Sequence, residues 1–293
     1  MTLTRVLTAL VLIPVVVGVV LFTPTWAVAI ATAVITVLAL WEYFALGDAI
    51  GHRAYRLWTI ACSLAMIFSQ WLTASRELHL FSEYRSDRID WDAYATLDKS
   101  SPLSIFFIFL LGLAMLTLFT RRPLVESLPS AGISSSALFL VAFPLSFAVR
   151  LDAIPFHGPF LLLFALVITW AADTVAYFVG RAVGKHPLAP RISPKKTWEG
   201  SVGGLVGSLA VAYGFHYLLP SVSILHLLLM ATFGNIAGQM GDLLESACKR
   251  SAGVKDSGGL LPGHGGILDR IDALILCIPV IWYYLVLVNP HLP

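Results

Sequence analysis

Residues 223–246 read SILHLLLMATFGNIAGQMGDLLES, and the chain runs on without a break into ACKRSAGVKDSGGLLPGHGGILDRID at 247–272. The first stretch is long and apolar enough to cross a bilayer, for which about 20 residues suffice. The second cannot be ordinary helix. Gly258, Gly259, Gly263, Gly265 and Gly266 crowd one short loop, and glycine admits positive φ and a close approach of backbone to ligand. Lys249, Arg250, Lys255, His264 and Arg270 share that stretch with Asp256, Asp269 and Asp272. After it the apolar pattern resumes. A charged, glycine-rich loop between two apolar spans reads as a phosphate and metal site at a membrane surface.

Composition extends this reading to the whole chain. It is 58% hydrophobic and 12% charged, with a mean hydropathy of +0.83, against roughly 25% charged in an average soluble domain. The fold class is therefore all-α, a polytopic integral membrane protein. Nine spans are predicted, at 6–22, 25–46, 57–75, 103–120, 136–150, 156–180, 200–219, 223–246 and 270–289, the fifth being the shortest. The first resembles a signal peptide, with Arg5 before an apolar run. A second run follows after only Thr23, Pro24 and Thr25, so the pair reads as a retained hairpin. Three regions result: N-terminal helices with a polar outer loop (1–102), middle helices (103–180) and a C-terminal catalytic region with two basic loops (181–293).

Lys and Arg concentrate in cytoplasmic loops. One side of the nine-span arrangement holds Arg5, Arg53, Arg56, Arg121, Arg122, the cluster from Arg181 to Lys196, and Lys249, Arg250, Lys255 and Arg270. The other side holds Arg76, Arg85, Arg88 and Lys99, in a loop with more acidic residues, and Arg150. The N-terminus is thus expected in the cytoplasm and the C-terminus outside, with both basic loops facing the cytoplasm together. The segment 76–101 reads as a solvated outer cap. Cys62, Cys248 and Cys277 lack metal-type spacing and read as packing residues.

A charged group inside a membrane helix is a functional candidate by default. Asn235, Gln239, Asp242 and Ser246 fall on one helical face. For Asn235 and Gln239, interhelical hydrogen bonding and a site role stay equally open. Asp242 is an anion inside the helix end, and a bound cation is the simplest way to keep it ionised. Asp173, with Tyr177 one turn later, is a second candidate. Glu42 either snorkels toward water or serves the site. The other basic loop carries Gly180, Arg181, Gly184, Lys185, Arg191, Ser193, Pro194, Lys195, Lys196, Thr197, Glu199 and Gly200. Here Ser193 before Pro194 is expected to cap a helix whose amides attract an anion.

The run Ser246, Lys249, Arg250, Lys255, Asp256, Gly258, Leu261, Pro262, His264, Gly265, Gly266, Asp269, Arg270, Asp272 resembles, without a gap, the signature of the phosphatidate cytidylyltransferase (CDP-diacylglycerol synthase) family of bacterial type. Ser193 to Thr197 with Glu199 and Gly200 is similar to the family's second marker, and the likeness is close over about residues 170–275. Two departures, Cys248 for a larger apolar residue and Val175 for a smaller one, bear on packing more than on chemistry.

The resemblance implies transfer of CMP from CTP to phosphatidic acid, giving CDP-diacylglycerol and pyrophosphate. It implies Mg²⁺ held by Asp242 and Asp269, with Asp256 third and a second, monovalent cation as an option. Lys249 and His264 join the three aspartates as catalytic candidates. Ser193, Lys195, Lys196, Ser246, Arg250, Lys255, Gly265, Gly266, Arg270 and Asp173 are the substrate-binding candidates. A homodimer in a bacterial inner membrane, without nucleic acid, completes the expectation. A cytidylyltransferase for another lipid phosphate and a CTP-dependent lipid kinase are the rivals among enzymes. A transporter of phosphorylated anions is the rival of another class; it would call for inverted repeats with broken helices, and none is visible.

Overall fold

Inside a bilayer the backbone has no water to bond, so each apolar span closes its own hydrogen bonds as a helix. The computed structural model describes residues 2–83, 101–260 and 265–288. Among the described residues nine helical spans follow in order: α1 (Thr2–Phe22), α2 (Thr25–Ala49), α3 (Arg56–Glu83), α4 (Ser101–Leu118), α5 (Leu124–Asp152), α6 (Gly158–Val183), α7 (Trp198–Phe215), α8 (Ile224–Ser251) and α9 (Leu268–Val288). Six of them, α2, α3 over Arg56–Ser75, α5, α6, α8 and α9, are long and apolar enough to cross a membrane. Leu110, Phe178, Val202, Val206, Leu225 and Met240 stand exposed on helix faces, as surfaces against lipid do. The protein is a multi-pass membrane protein.

The expected spans and the observed helices correspond one to one, with differences at their ends. The fifth is not the shortest. Polar residues such as Ser127, Ser130 and Ser134 hid its first half from a hydropathy count. Ser134 is satisfied by the backbone, its Oγ donating to Ser130 O at 2.7 Å and accepting from Tyr55 N at 2.8 Å. A single π turn at Leu138–Ala142 interrupts α5. The expected outer cap falls largely outside the described residues, since α3 itself continues to Glu83.

A second difference lies in the basic loop after α6. It folds as a two-stranded antiparallel hairpin, β1 (Pro187–Ala189) and β2 (Ser193–Thr197), pairing Pro187 with Thr197 and Ala189 with Ser193. Ser193 therefore does not cap a helix, because Pro187, Pro190 and Pro194 hold this segment extended. Thr197 is the cap of α7: its Oγ1 accepts from Gly200 N at 3.1 Å. His186 Nδ1 lies 2.6 Å from Glu199 Oε1 and closes the hairpin base onto the same helix start.

The core gathers α5, α6, α8 and α9 around Trp282, which is 1% exposed and lies 5.0 Å from the Phe147 ring. α6 and α7 approach closely through small residues, an arrangement common between membrane helices. A Cβ at Gly204 would lie 3.0 Å from Ala172 O, and one at Gly207 would lie 2.8 Å from Val175 Cγ2. Val175 thus fills the space that Gly207 leaves. Cys62 and Cys277 are buried free thiols and Cys248 is partly buried.

Gly204→Val forces the two backbones apart. It is expected to lower the unfolding midpoint in detergent micelles by an amount corresponding to about 1–3 kcal/mol of overpacking. A thermal melt matching the wild type would refute the close-packing account.

Candidate active site

Strand periodicity makes the first functional choice. Successive side chains of a strand point to opposite faces, so Lys195 and Lys196 separate: Lys195 is exposed, whereas Lys196 turns in and pairs with Asp242 of α8. Ser246 Oγ, one turn further along α8, lies 3.5 Å from the other oxygen of Asp242. Arg250 fastens the hairpin to the end of α8, its Nε donating to Ile192 O at 3.2 Å and its Nη1 to Val254 O at 3.0 Å. The two basic loops are thereby held side by side.

Lys249 makes the second junction. Its Nζ donates to Asp269 Oδ1 at 2.5 Å and stands 2.5 Å from Glu245 Oε2, an ion pair without hydrogen-bond geometry. The side chains of Lys249, Glu245 and Asp269 are 10%, 4% and 7% exposed, so this triad is nearly dry. The other oxygen of Asp269 accepts from Gly266 N at 2.9 Å, Ser257 N at 3.0 Å and Ser257 Oγ at 3.1 Å. Gly265 enables that wrap: its φ is +79°, and a Cβ there would lie 2.8 Å from Asp269 Oδ2.

The polar stripe of α8 divides by role. Asn235 Nδ2 donates to Ser208 Oγ at 2.9 Å, and Gln239 Nε2 to Asn235 Oδ1 at 2.6 Å and Ser201 O at 3.2 Å. These residues join α8 to α7. Asp242 interacts electrostatically with Asp173, Glu245 and Asp272, and Asp173 feels the charges of Lys196 and Arg270.

Among the described residues no three His, Cys, Asp or Glu side chains stand at metal-holding spacing; Asp242 and Asp269 each pair with a lysine ammonium. The donor chemistry nonetheless fits a hard divalent cation, which takes carboxylate oxygens. Both oxygens of Glu245 are buried without a hydrogen-bond donor.

The structure thus brings together Asp173, Lys196, Asp242, Ser246, Lys249, Gly265, Gly266, Asp269 and Arg270, with Ser193 and Arg250 at the hairpin edge. Lys195, Lys255 and Asp256 are exposed and form no hydrogen bond or ion pair among the described residues. His264 lies outside the described residues. The sequence reading passed over Glu245, Ser257 and Asp272 as site residues. Glu245 had a legible signal, an acid inside an apolar helix four residues before Lys249; Ser257 had none, since a serine beside glycines reads as loop.

Comparison with known proteins identifies relatives of the chain. The model of the cytidylyltransferase family matches residues 3–288. The chain is 47% identical over 135 residues to the phosphatidate cytidylyltransferase of Haemophilus influenzae, covering 44% of this chain and 47% of that protein. It is 39% identical over 179 residues to that of Bacillus subtilis, covering 59% and 66%. To that of Brucella suis it is 35% identical over 256 residues, covering 83% and 89%. The alignment thus spans about half of the first relative and nearly all of the third.

Removing one member of a dry triad strands the others. Lys249→Ala should therefore destabilise the protein by about 3–5 kcal/mol. Lys196→Ala, whose pair is 30% and 22% exposed, should cost under about 1 kcal/mol. Denaturant titration in micelles reads both; equal losses would contradict the burial difference.

Proposed function

The chain belongs to the cytidylyltransferase family, and on that premise we propose that it transfers CMP from CTP to phosphatidic acid, forming CDP-diacylglycerol and releasing pyrophosphate. The observation that carries the reading is the pairing of Lys196 with Asp242 and of Lys249 with Asp269 at one end of the bundle. Cations beside carboxylates suit a reaction in which one phosphate oxygen attacks the α-phosphorus of a nucleotide in line. Such a step needs positioning and charge neutralisation rather than a covalent intermediate.

Lys196 and Lys249 exchange their carboxylate partners for phosphate oxygens when substrates enter. Arg270 and Arg250 offer planar, bidentate contacts to phosphate, and the amides around Gly265 and Gly266 lie beside the reacting groups. Asp242 and Asp269 would hold Mg²⁺, which when bound neutralises charge on the nucleotide phosphates. Ser246 orients Asp242, and Ser257 and Gly266 orient Asp269. Val202, Val206 and Met240 are exposed on α7 and α8, so acyl chains remain in the bilayer while the headgroup reaches the polar end. The reading also places the site at the cytoplasmic face of a bacterial inner membrane, in a homodimer.

Purified protein in mixed micelles with phosphatidic acid and α-labelled CTP should move label into lipid and release pyrophosphate, with Mg²⁺ and not with chelator. Release of CDP instead would identify a lipid kinase. Asp242→Ala and Asp269→Ala should each lower kcat at least about 100-fold; near-normal turnover in either would remove that residue from the metal assignment.

A further inference from the structure

Glu42 lies on α2, far in sequence from every motif of the site, yet it is 8% exposed and its carboxylate reaches the catalytic loop. Its Oε1 accepts from Ile267 N at 3.0 Å, and its Oε2 accepts from Leu268 N at 2.8 Å and from Ser257 Oγ at 2.9 Å. A snorkelling acid would present its oxygens to water; here both are taken up by buried donors.

Two consequences follow from chemistry. First, Ile267 and Leu268 supply amides at the start of α9, where the opening N–H groups lack intrahelical acceptors. Ile267, the residue just ahead of the helix, has no polar side chain to cap them, so a carboxylate from another helix does so, at the end where a helix favours negative charge. Second, the Ser257 hydroxyl lies 2.9 Å from Glu42 Oε2 and 3.1 Å from Asp269 Oδ2. One hydroxyl hydrogen serves two carboxylates, so the position of Glu42 is felt by Asp269. Sterics give the same link: a Cβ at Gly258 would lie 2.6 Å from Glu42 Oε1, and one at Gly266 would collide with both Glu42 and Ser257. The glycine-rich loop is moulded around this carboxylate.

We infer that Glu42 is a positioning residue for the cytidylyl-transfer site, acting through Ser257 and the start of α9 to fix the orientation of the Asp269 carboxylate. The inference rests on the function proposed above. It also assigns the N-terminal helices a part in catalysis that neither basic loop supplies. Glu42→Gln is nearly isosteric but keeps one acceptor oxygen, so its amide N–H₂ must face Ser257 or a helix-start N–H. Glu42→Asp keeps both acceptors on a shorter arm.

Transfer of label from α-labelled CTP to lipid is measured for wild type, Glu42→Gln, Glu42→Asp, Ser257→Ala and the Glu42→Gln/Ser257→Ala double variant, normalised to folded protein by size-exclusion chromatography. Amide hydrogen exchange of 265–272 is followed without substrate. Glu42→Gln should lower kcat about tenfold or more, leave KM for CTP within about threefold and speed exchange at Ile267 and Leu268. Glu42→Asp should recover part of kcat, and the double variant should cost less than the sum of the single ones. Wild-type kcat per folded molecule in Glu42→Gln, or additive losses, would overturn the positioning role and leave Glu42 a stabilising cap. Should the wild type itself label no lipid, the functional reading fails while exchange still decides the anchor: protection unchanged in Glu42→Gln would overturn it.

Discussion

A lysine ammonium held between two acids in a nearly dry setting is the contact on which the polar end of this bundle depends. Lys249 sits one helical turn beyond Glu245 on α8 and faces Asp269 at the start of α9. Burying three charges is costly unless each meets an opposite partner and further hydrogen bonds. Asp269 meets that condition through the amides of Gly266 and Ser257. Glu245 does not, since its oxygens have the ammonium nearby and no hydrogen-bond donor.

The remaining architecture serves to keep that end polar while its surroundings stay apolar. Close packing of α6 on α7 through Gly204 and Gly207 narrows one wall, and Asn235 and Gln239 bind α8 to α7 by interhelical hydrogen bonds. The hairpin after α6 is short and stiffened by proline, so Lys196 can be delivered to Asp242 while Lys195 faces outward. Arg250 ties the hairpin to the end of α8. The two basic loops act as one surface because specific bonds join them, beyond any shared side of the membrane.

The sequence by itself determined the class and the count. A chain with apolar runs of about 20 residues folds as helices in a bilayer, where each span closes its own backbone hydrogen bonds, and among the described residues the nine apolar segments are nine helical spans. It also located the polar end of the bundle, since charges and glycines between apolar spans have no stable place elsewhere: Asp242, Lys249, Asp269 and Arg270 all stood out as charges in or beside apolar spans. The first half of α5 was not legible, because serines bonded to backbone count as polar in a hydropathy sum although they cost little in a helix.

Only the tertiary structure decided partners. Lys196 rather than Lys195 meets Asp242 because a strand, not a helix, carries them. Asn235 and Gln239 turned out to join helices, a choice their shared face could not make. Glu42 capping α9 was beyond any local pattern: the acceptor and its donors are more than 200 residues apart, and the need for it arises because Ile267, just ahead of the helix, has no polar side chain to cap it. Spacing along a chain records which groups can share a face; which of them meet across helices depends on how the bundle packs.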